Sequence, residues 1–283
     1  MTQLAGERPA VRHEVRSALT FITRQNTKPY FNSSALTGGA PEIFFGTEDH
    51  KVTVEDMRPI ADTLSLDVQG FELMTSPTAV DDLYDDNAVD TAYADELKAL
   101  LTRRFGATSV HIFDVTRRAD AGAGAPNRDG LRGPANRVHV DYTVKSGPQR
   151  TRDVLGDAEA ERLFKAGAHI LQVNVWRPIK GPVQRSPLAL ADASSVKPDE
   201  LIATDQIFPD RVGEIYNVAH AWTQRWYYAS EMERDEILLI KGWDSIADGR
   251  AQFTPHGAFA LPDTENAPAR ESIEVRTLVV IEK

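Results

Sequence analysis

The sequence predicts a mainly β protein, a closed or double-sheet β architecture with a few flanking helices. Three observations predict it. Short stretches of alternating apolar and polar residues recur along the chain, most densely after Ala135. Connections rich in Pro, Gly and Asp separate them. Neither a Gly-rich phosphate loop nor a regular strand–helix alternation marks a dinucleotide fold. A jelly roll is one such architecture, and it leaves a cavity between two sheets.

Taken in order, residues 11–24 alternate and read as a strand, followed by short extended pieces at Ile43 to Phe45 and Val52 to Val54. Residues 87–105 read as a helix, with Val89, Tyr93, Leu97, Leu100 and Leu101 on one face and Gly106 as its stop. Ser109 to Val115 is a strand. Residues 117–136 are rich in Gly, Ala, Pro and charge, which suits a mobile, lid-like loop. A short helix over Asp157 to Lys165 closes at Gly167. The remaining strands are expected at Arg137–Val144, Ile170–Trp176, Glu214–Val218, Glu236–Lys241 and Ser272–Ile281. The chain reads as one domain over 1–283. It comprises N-terminal strands and a helix to about 116, the loop 117–136, and a β core from about 137 onward.

Composition narrows the function. The chain has 283 residues, 41% hydrophobic and 26% charged, which suits a soluble globular protein with a sizeable core. Its net charge of -10 argues against nucleic acid and anionic membrane surfaces and favours a small-molecule substrate. Without cysteine there are no disulfides or thiolate metal sites. No signal-peptide or membrane-spanning run is read, so a cytoplasmic location is expected.

The chemistry concentrates at Arg137-Val138-His139-Val140-Asp141-Tyr142. On a strand, His139 and Asp141 share one face, while Val138, Val140 and Tyr142 share the other. An imidazole nitrogen and a carboxylate oxygen so placed can close on one metal ion, and a further histidine completes the facial triad of a non-haem Fe(II) oxygenase. A surface strand with two polar residues facing water is the bland alternative. Two downstream features favour the metal. His256 stands alone in the turn-like Thr254-Pro255-His256-Gly257. Arg270 and Ser272 then alternate onto one strand face, an Arg fork plus a hydroxyl suited to the distal carboxylate of 2-oxoglutarate. The bland readings are an Arg270–Glu salt bridge and a structural turn histidine.

The strand around Asn174 presents Leu171, Val173 and Val175 on one face and Gln172, Asn174 and Trp176 on the other. The second set is expected to line the lumen near co-substrate or substrate; a polar network that only orders the barrel is the alternative. Trp176, Trp222, Trp226, Tyr227 and Tyr228 read as packing residues. Asp192, Ser195, Asp244 and Ser245 read as turn and supporting residues. His13, His50, His111, His169 and His220 lack a paired carboxylate in sequence and read as structural or solvated. The acidic run Asp81–Asp86 reads as a solvated loop and helix start.

Several blocks resemble the Fe(II)/2-oxoglutarate-dependent secondary-metabolite hydroxylase/desaturase family. They are His139–Asp141, Asn174–Pro178, Pro187–Asp192, Arg225–Tyr228, Lys241–Ser245, Pro255–Phe259 and Arg270–Arg276, all in one order. The resemblance runs from about Val11 onward and is strongest after Arg137. It implies a double-stranded β-helix, the cupin-like jelly roll, with Fe(II), 2-oxoglutarate and dioxygen. It also implies hydroxylation, desaturation or cyclisation of a small molecule. By that resemblance His139, Asp141 and His256 are the iron ligands. Arg270 with Ser272 is first choice for the co-substrate, and Arg276 competes; they follow His256 by 14 and 20 residues. An iron enzyme of this fold that does not use 2-oxoglutarate, and a non-catalytic jelly-roll binding protein, remain as alternatives. Substrate and oligomeric state are not fixed by the sequence.

Overall fold

The computed structural model describes residues 14–38, 40–128 and 130–282; His13 lies outside them. Two sheets dominate. The larger has ten strands, in the order Glu14–Ile22, Thr47–Asp56, Trp226–Tyr228, Leu188–Ala191, His256–Ala258, His139–Val140, Val212–Val218, Leu201–Ile207, Tyr30–Asn32 and Glu42–Ile43. The smaller runs Phe71–Thr75, Glu236–Asp244, His169–Lys180, Glu271–Ile281 and Ser109–Ala119, all antiparallel. The expected jelly roll is the fold: two sheets curl around a shared interior. Among the described residues no helix is long and apolar enough to cross a membrane.

Alternation decides what each face of the smaller sheet touches. Leu171, Val173 and Val175 point outward with Ile273, Val275 and Val279, against Tyr93, Leu97 and Leu101 of the helical segment. The helix Ala94–Phe105 therefore buries an apolar stripe, and Gly106 ends it in the left-handed region at φ 62°. The opposite face packs Trp176, Leu238, Ile240 and Phe71 against Leu188, Leu190, Tyr227 and Ala258 of the larger sheet. Apolar contact on both faces explains the continuous run Ile237–Ile240 in the strand Glu236–Asp244. A further cluster, with Leu19, Phe21, Val54, Val138 and Trp226, lies on the far face of the larger sheet.

The expected element types are largely those found, and the differences have local causes. Strand Arg137–Val144 shrinks to His139–Val140. Beyond Asp141 the backbone N–H of Thr143 donates to Ser146 Oγ, and that of Ser146 donates to Thr143 Oγ1. This reciprocal cap starts an unexpected helix, Ser146–Leu155. Gly147 in its first turn fits because a Cβ there would meet Trp243 ring atoms at 2.4–2.6 Å. The strand begun at Ser109 continues to Ala119, and Ala125–Asn127 pairs with Gly130–Arg132. The segment 117–136 is therefore part strand and part hairpin, not loop throughout. The helix expected over 87–105 includes a π-helical turn, Val89–Tyr93, with Asp85 capping its start.

Three side-chain expectations need correction. Trp222 is 84% exposed, edge-on to His220, and is not a packing residue. His169 does have a carboxylate partner, Asp244 at 2.8 Å, and His50 has Glu48 at 3.1 Å. Asp244 makes the expected turn contact, accepting from Ile246 N–H at 2.8 Å, but it is also fully buried between His169 and Lys241, whose Nζ lies 2.7 Å away.

Candidate metal centre

His139 and His256 face each other across antiparallel strands, in register as direct partners. Their ring centroids are 4.7 Å apart. Asp141 follows His139 by two residues and returns its carboxylate to the same side, with Oδ1 3.5 Å from His139 Nε2. Ligand atoms of the three lie within 4.8 Å of one another. Val138 and Val140, between and beside them, are fully buried the other way. Alternation along a very short strand thus brings the three expected residues together at the interior face.

Both imidazoles are fixed in one tautomer. His139 Nδ1 lies 2.9 Å from the carbonyl oxygen of Arg137, and His256 Nδ1 lies 2.9 Å from that of Thr254. A carbonyl only accepts, so each Nδ1 carries the proton and each Nε2 keeps a lone pair. That is the arrangement that orients imidazole ligands in metal sites. Burial, and then the neighbouring His139, push the His256 pKa below the usual histidine range, which favours the neutral ring.

Asp141 is gripped from the smaller sheet. Asn174 Nδ2 donates to its Oδ2 at 2.5 Å, and Arg276 reaches the same oxygen through Nε at 3.3 Å. Asn174 and Arg276 are cross-strand partners, so one pair of side chains meets one carboxylate. Burial alone would raise the Asp141 pKa. The Arg276 charge, then His139 and His256, outweigh it and hold the carboxyl well below its ordinary value. Arg276 also touches Asp114 at 2.7 Å and Glu274 at 2.7 Å, and its own pKa is raised despite burial because of these three carboxylates.

Arg270 is in a different state. It is 2% exposed, and Nη1 donates to the carbonyl oxygen of Ser186 at 2.5 Å. Nε and Nη2 are buried and have no partner among the described residues. Those two N–H groups form one edge of the guanidinium, the edge that takes a carboxylate side-on. Burial, and then the charge of Arg118, bring its pKa down to about 10. Trp176 lies beneath it, with the guanidinium carbon 5.8 Å from the ring centroid. Ser272 is buried one alternation further along.

Of the remaining lumen residues, Gln172 donates through Nε2 to Gly147 O at 2.9 Å and ties the helix Ser146–Leu155 to the sheet. Gln172, Asn174 and Trp176 are all buried, and none lies at an exposed rim. Sequence reading missed Arg118, which sits opposite Ser272 on the neighbouring strand. The signal available was the Arg117-Arg118 pair, whose members a continuing strand must send to opposite faces.

The donor set fits a divalent iron: two neutral imidazole nitrogens and one carboxylate oxygen leave coordination positions open. An unsatisfied buried guanidinium edge in the same interior fits a dicarboxylate co-substrate. Comparison with known proteins agrees. A family described as "Oxidoreductase/YMDC permease-like domain" matches residues 19–280. The hydroxylase/desaturase efuI of Hormonema carpetanum is 36% identical, over 93% of this chain and 97% of its own. The Fe(II)/2-oxoglutarate-dependent dioxygenase nvfI of Aspergillus novofumigatus is 31% identical, over 85% of this chain and 87% of its own. A solved structure of the iron and alpha-ketoglutarate-dependent endoperoxidase NvfI superposes with a TM-score of 0.83 at 28% identity, covering 96% of this chain and all of that one.

Proposed function

The chain belongs to the hydroxylase/desaturase family of Fe(II)- and 2-oxoglutarate-dependent dioxygenases, and we propose that it oxidises a small molecule of secondary metabolism at iron held by His139, Asp141 and His256. The metal and the 2-oxo acid, when bound, supply oxidative decarboxylation with dioxygen and removal of hydrogen from a C–H bond. The chain's residues supply orientation. Nε2 of His139 and of His256 offer lone pairs because each Nδ1 is committed to a carbonyl. Asn174 and Arg276 hold Asp141 Oδ2, and a longer contact from Arg276 Nη2, 3.4 Å, reaches Oδ1, the oxygen that faces His139. The reading assigns the co-substrate's distal carboxylate to Arg270, with Ser272 beside it, and assigns Arg276 to positioning Asp141. Trp176, beneath the Arg270 guanidinium and itself part of a buried apolar cluster, helps keep water from it.

One observation carries the assignment: Arg270 buries Nε and Nη2 with no partner among the described residues, whereas Arg276 already meets three carboxylates. Leaving such donors unpaired costs stability, so their natural partner is a ligand. Arg270→Ala should weaken 2-oxoglutarate binding to the Fe(II)-loaded protein by about 2–4 kcal/mol and leave Fe(II) binding nearly unchanged. Anaerobic titration calorimetry measures both. If Arg270→Ala keeps its 2-oxoglutarate affinity while Arg276→Ala loses it, the roles are exchanged. Succinate released with dioxygen, in step with loss of 2-oxoglutarate, separates this activity from that of an iron enzyme using no 2-oxo acid.

A further inference from the structure

Arg117 and Arg118 are adjacent and go to opposite faces. Arg117 points outward, where Nε donates to Leu83 O at 2.7 Å and Nη1 to Asp86 at 2.7 Å. Arg118, half-buried, shares the interior face with its cross-strand partner Ser272, one diagonal step from Arg270. Its hydrogen bond, 2.9 Å through Nη1, goes to the carbonyl oxygen of Gly133, which is not an anion. No carboxylate lies within ion-pair distance of it among the described residues. The acids that act on Arg118 by charge, Glu274 and Asp141, both lie against Arg276, at 2.7 and 3.3 Å, and Asp120, which acts on Arg270, lies against Arg185 at 2.9 Å.

Two guanidinium groups one diagonal step apart thus share the interior face, neither with an ion-pair partner among the described residues. Burial lowers the pKa of both, and Arg118 lowers that of Arg270 further. Like charges brought together in a shielded interior repel, and a carboxylate between them converts that repulsion into two charge-assisted contacts. We propose that Arg118 is the second arm of a two-arginine clamp, so that the co-substrate's distal carboxylate is held by Arg270 and Arg118 from neighbouring strands. The clamp rests on the co-substrate reading above. It extends that reading to a residue outside the Arg270–Arg276 segment and makes the cavity selective for 2-oxo acids with a terminal carboxylate.

The test is anaerobic calorimetry on the Fe(II)-loaded protein with two probes: 2-oxoglutarate, and 2-oxopentanoate, which has the same chain length without the distal carboxylate. Arg118→Gln should weaken 2-oxoglutarate roughly tenfold or more and leave 2-oxopentanoate unchanged. Arg118→Lys, which keeps the charge but not the fork, should fall between and guards against a Gln variant that folds poorly. Wild-type 2-oxoglutarate affinity in both variants overturns the clamp and frees Arg118 for an acidic group on the substrate. Equal loss for both probes also overturns it, since Arg118 would then act away from the distal carboxylate. A wild-type protein that binds Fe(II) but not 2-oxoglutarate defeats the co-substrate reading itself, and the clamp with it.

Discussion

At the scale of single residues, the contrast between Arg270 and Arg276 decides more than their shared strand suggests. Both lie on the alternation that includes Ser272, and the sequence favours Arg270 only by its shorter spacing from His256; their partners separate them further. Arg276 donates to Asp141 and Asp114 and contacts Glu274, so its replacement releases a ligand, not a co-substrate. Arg276→Gln should reduce metal affinity about 10–100-fold, the usual effect of removing a group that orients a ligand. At saturating metal, its 2-oxoglutarate affinity should stay close to wild type. A Mn(II) titration followed by electron paramagnetic resonance checks the first, and calorimetry the second. Unchanged metal affinity would remove Arg276 from the positioning role. The triad was legible in the sequence because alternation links His139 to Asp141 and because few histidines compete for the third place. Arg118 was not legible, since the strand that aims it inward is extended by pairing with Glu271–Ile281, about 150 residues away in sequence.

At the scale of elements, the strand Glu236–Asp244 carries opposite duties on its two faces. Leu238 and Ile240 face the interior, while Lys241 turns outward and reaches Asp244 and Asp67. Burial opposes ionisation of Asp244, but His169 and Lys241 more than compensate and hold its pKa below the ordinary aspartate value. A carboxyl with a depressed folded pKa adds stability that is present above its unfolded pKa. That stability is lost as pH falls through the folded one. Lys241→Met removes one of those partners and should cost about 3–5 kcal/mol, because a fully buried carboxylate loses a charge partner. The variant's acid unfolding should begin at higher pH than wild type, in thermal melts followed between neutral pH and pH 3. An unchanged acid midpoint would mean that Lys241 does not stabilise Asp244. This network is not legible in the sequence, because His169 lies 75 residues from Asp244 and each looks ordinary alone. The helix Ser146–Leu155 was hidden for a nearer reason: its start reads Ser-Gly-Pro, a turn signal that the Thr143–Ser146 cap overrides.

At the scale of the whole molecule, the segment 117–136 joins the two sheets beside the site. Arg118 and Ala119 belong to the smaller sheet, and Ala135 O accepts from the backbone N–H of Ala258 at 2.7 Å, two residues beyond His256. The C-terminal end of the segment therefore lies beside His256, while the hairpin tip pairs Arg128 with Asp86 and Asp90 of the helical segment outside the smaller sheet. Replacing residues 121–131 with a short Gly-Ser turn should raise succinate formation in the absence of substrate, since an open site lets oxidation run uncoupled. Enzymatic succinate assay checks it, and a rate equal to wild type would deny the hairpin a covering role. The two-sheet class was legible from alternation and turns, whereas the pairing order was not, because neighbours such as Ser109–Ala119 and Glu271–Ile281 meet from distant parts of the chain. That last pairing has a consequence for synthesis. Glu271–Ile281 slots between two strands made much earlier, Ser109–Ala119 and His169–Lys180, with contacts along nearly its full length on both sides. While translation continues, both earlier strands wait with open hydrogen-bonding edges, the condition that invites pairing with other chains. A polypeptide stopped short of Arg270 thus lacks the Arg276 contact to Asp141 and leaves two facing strand edges unpaired. The site becomes complete only when this late strand has left the ribosome and closed the gap.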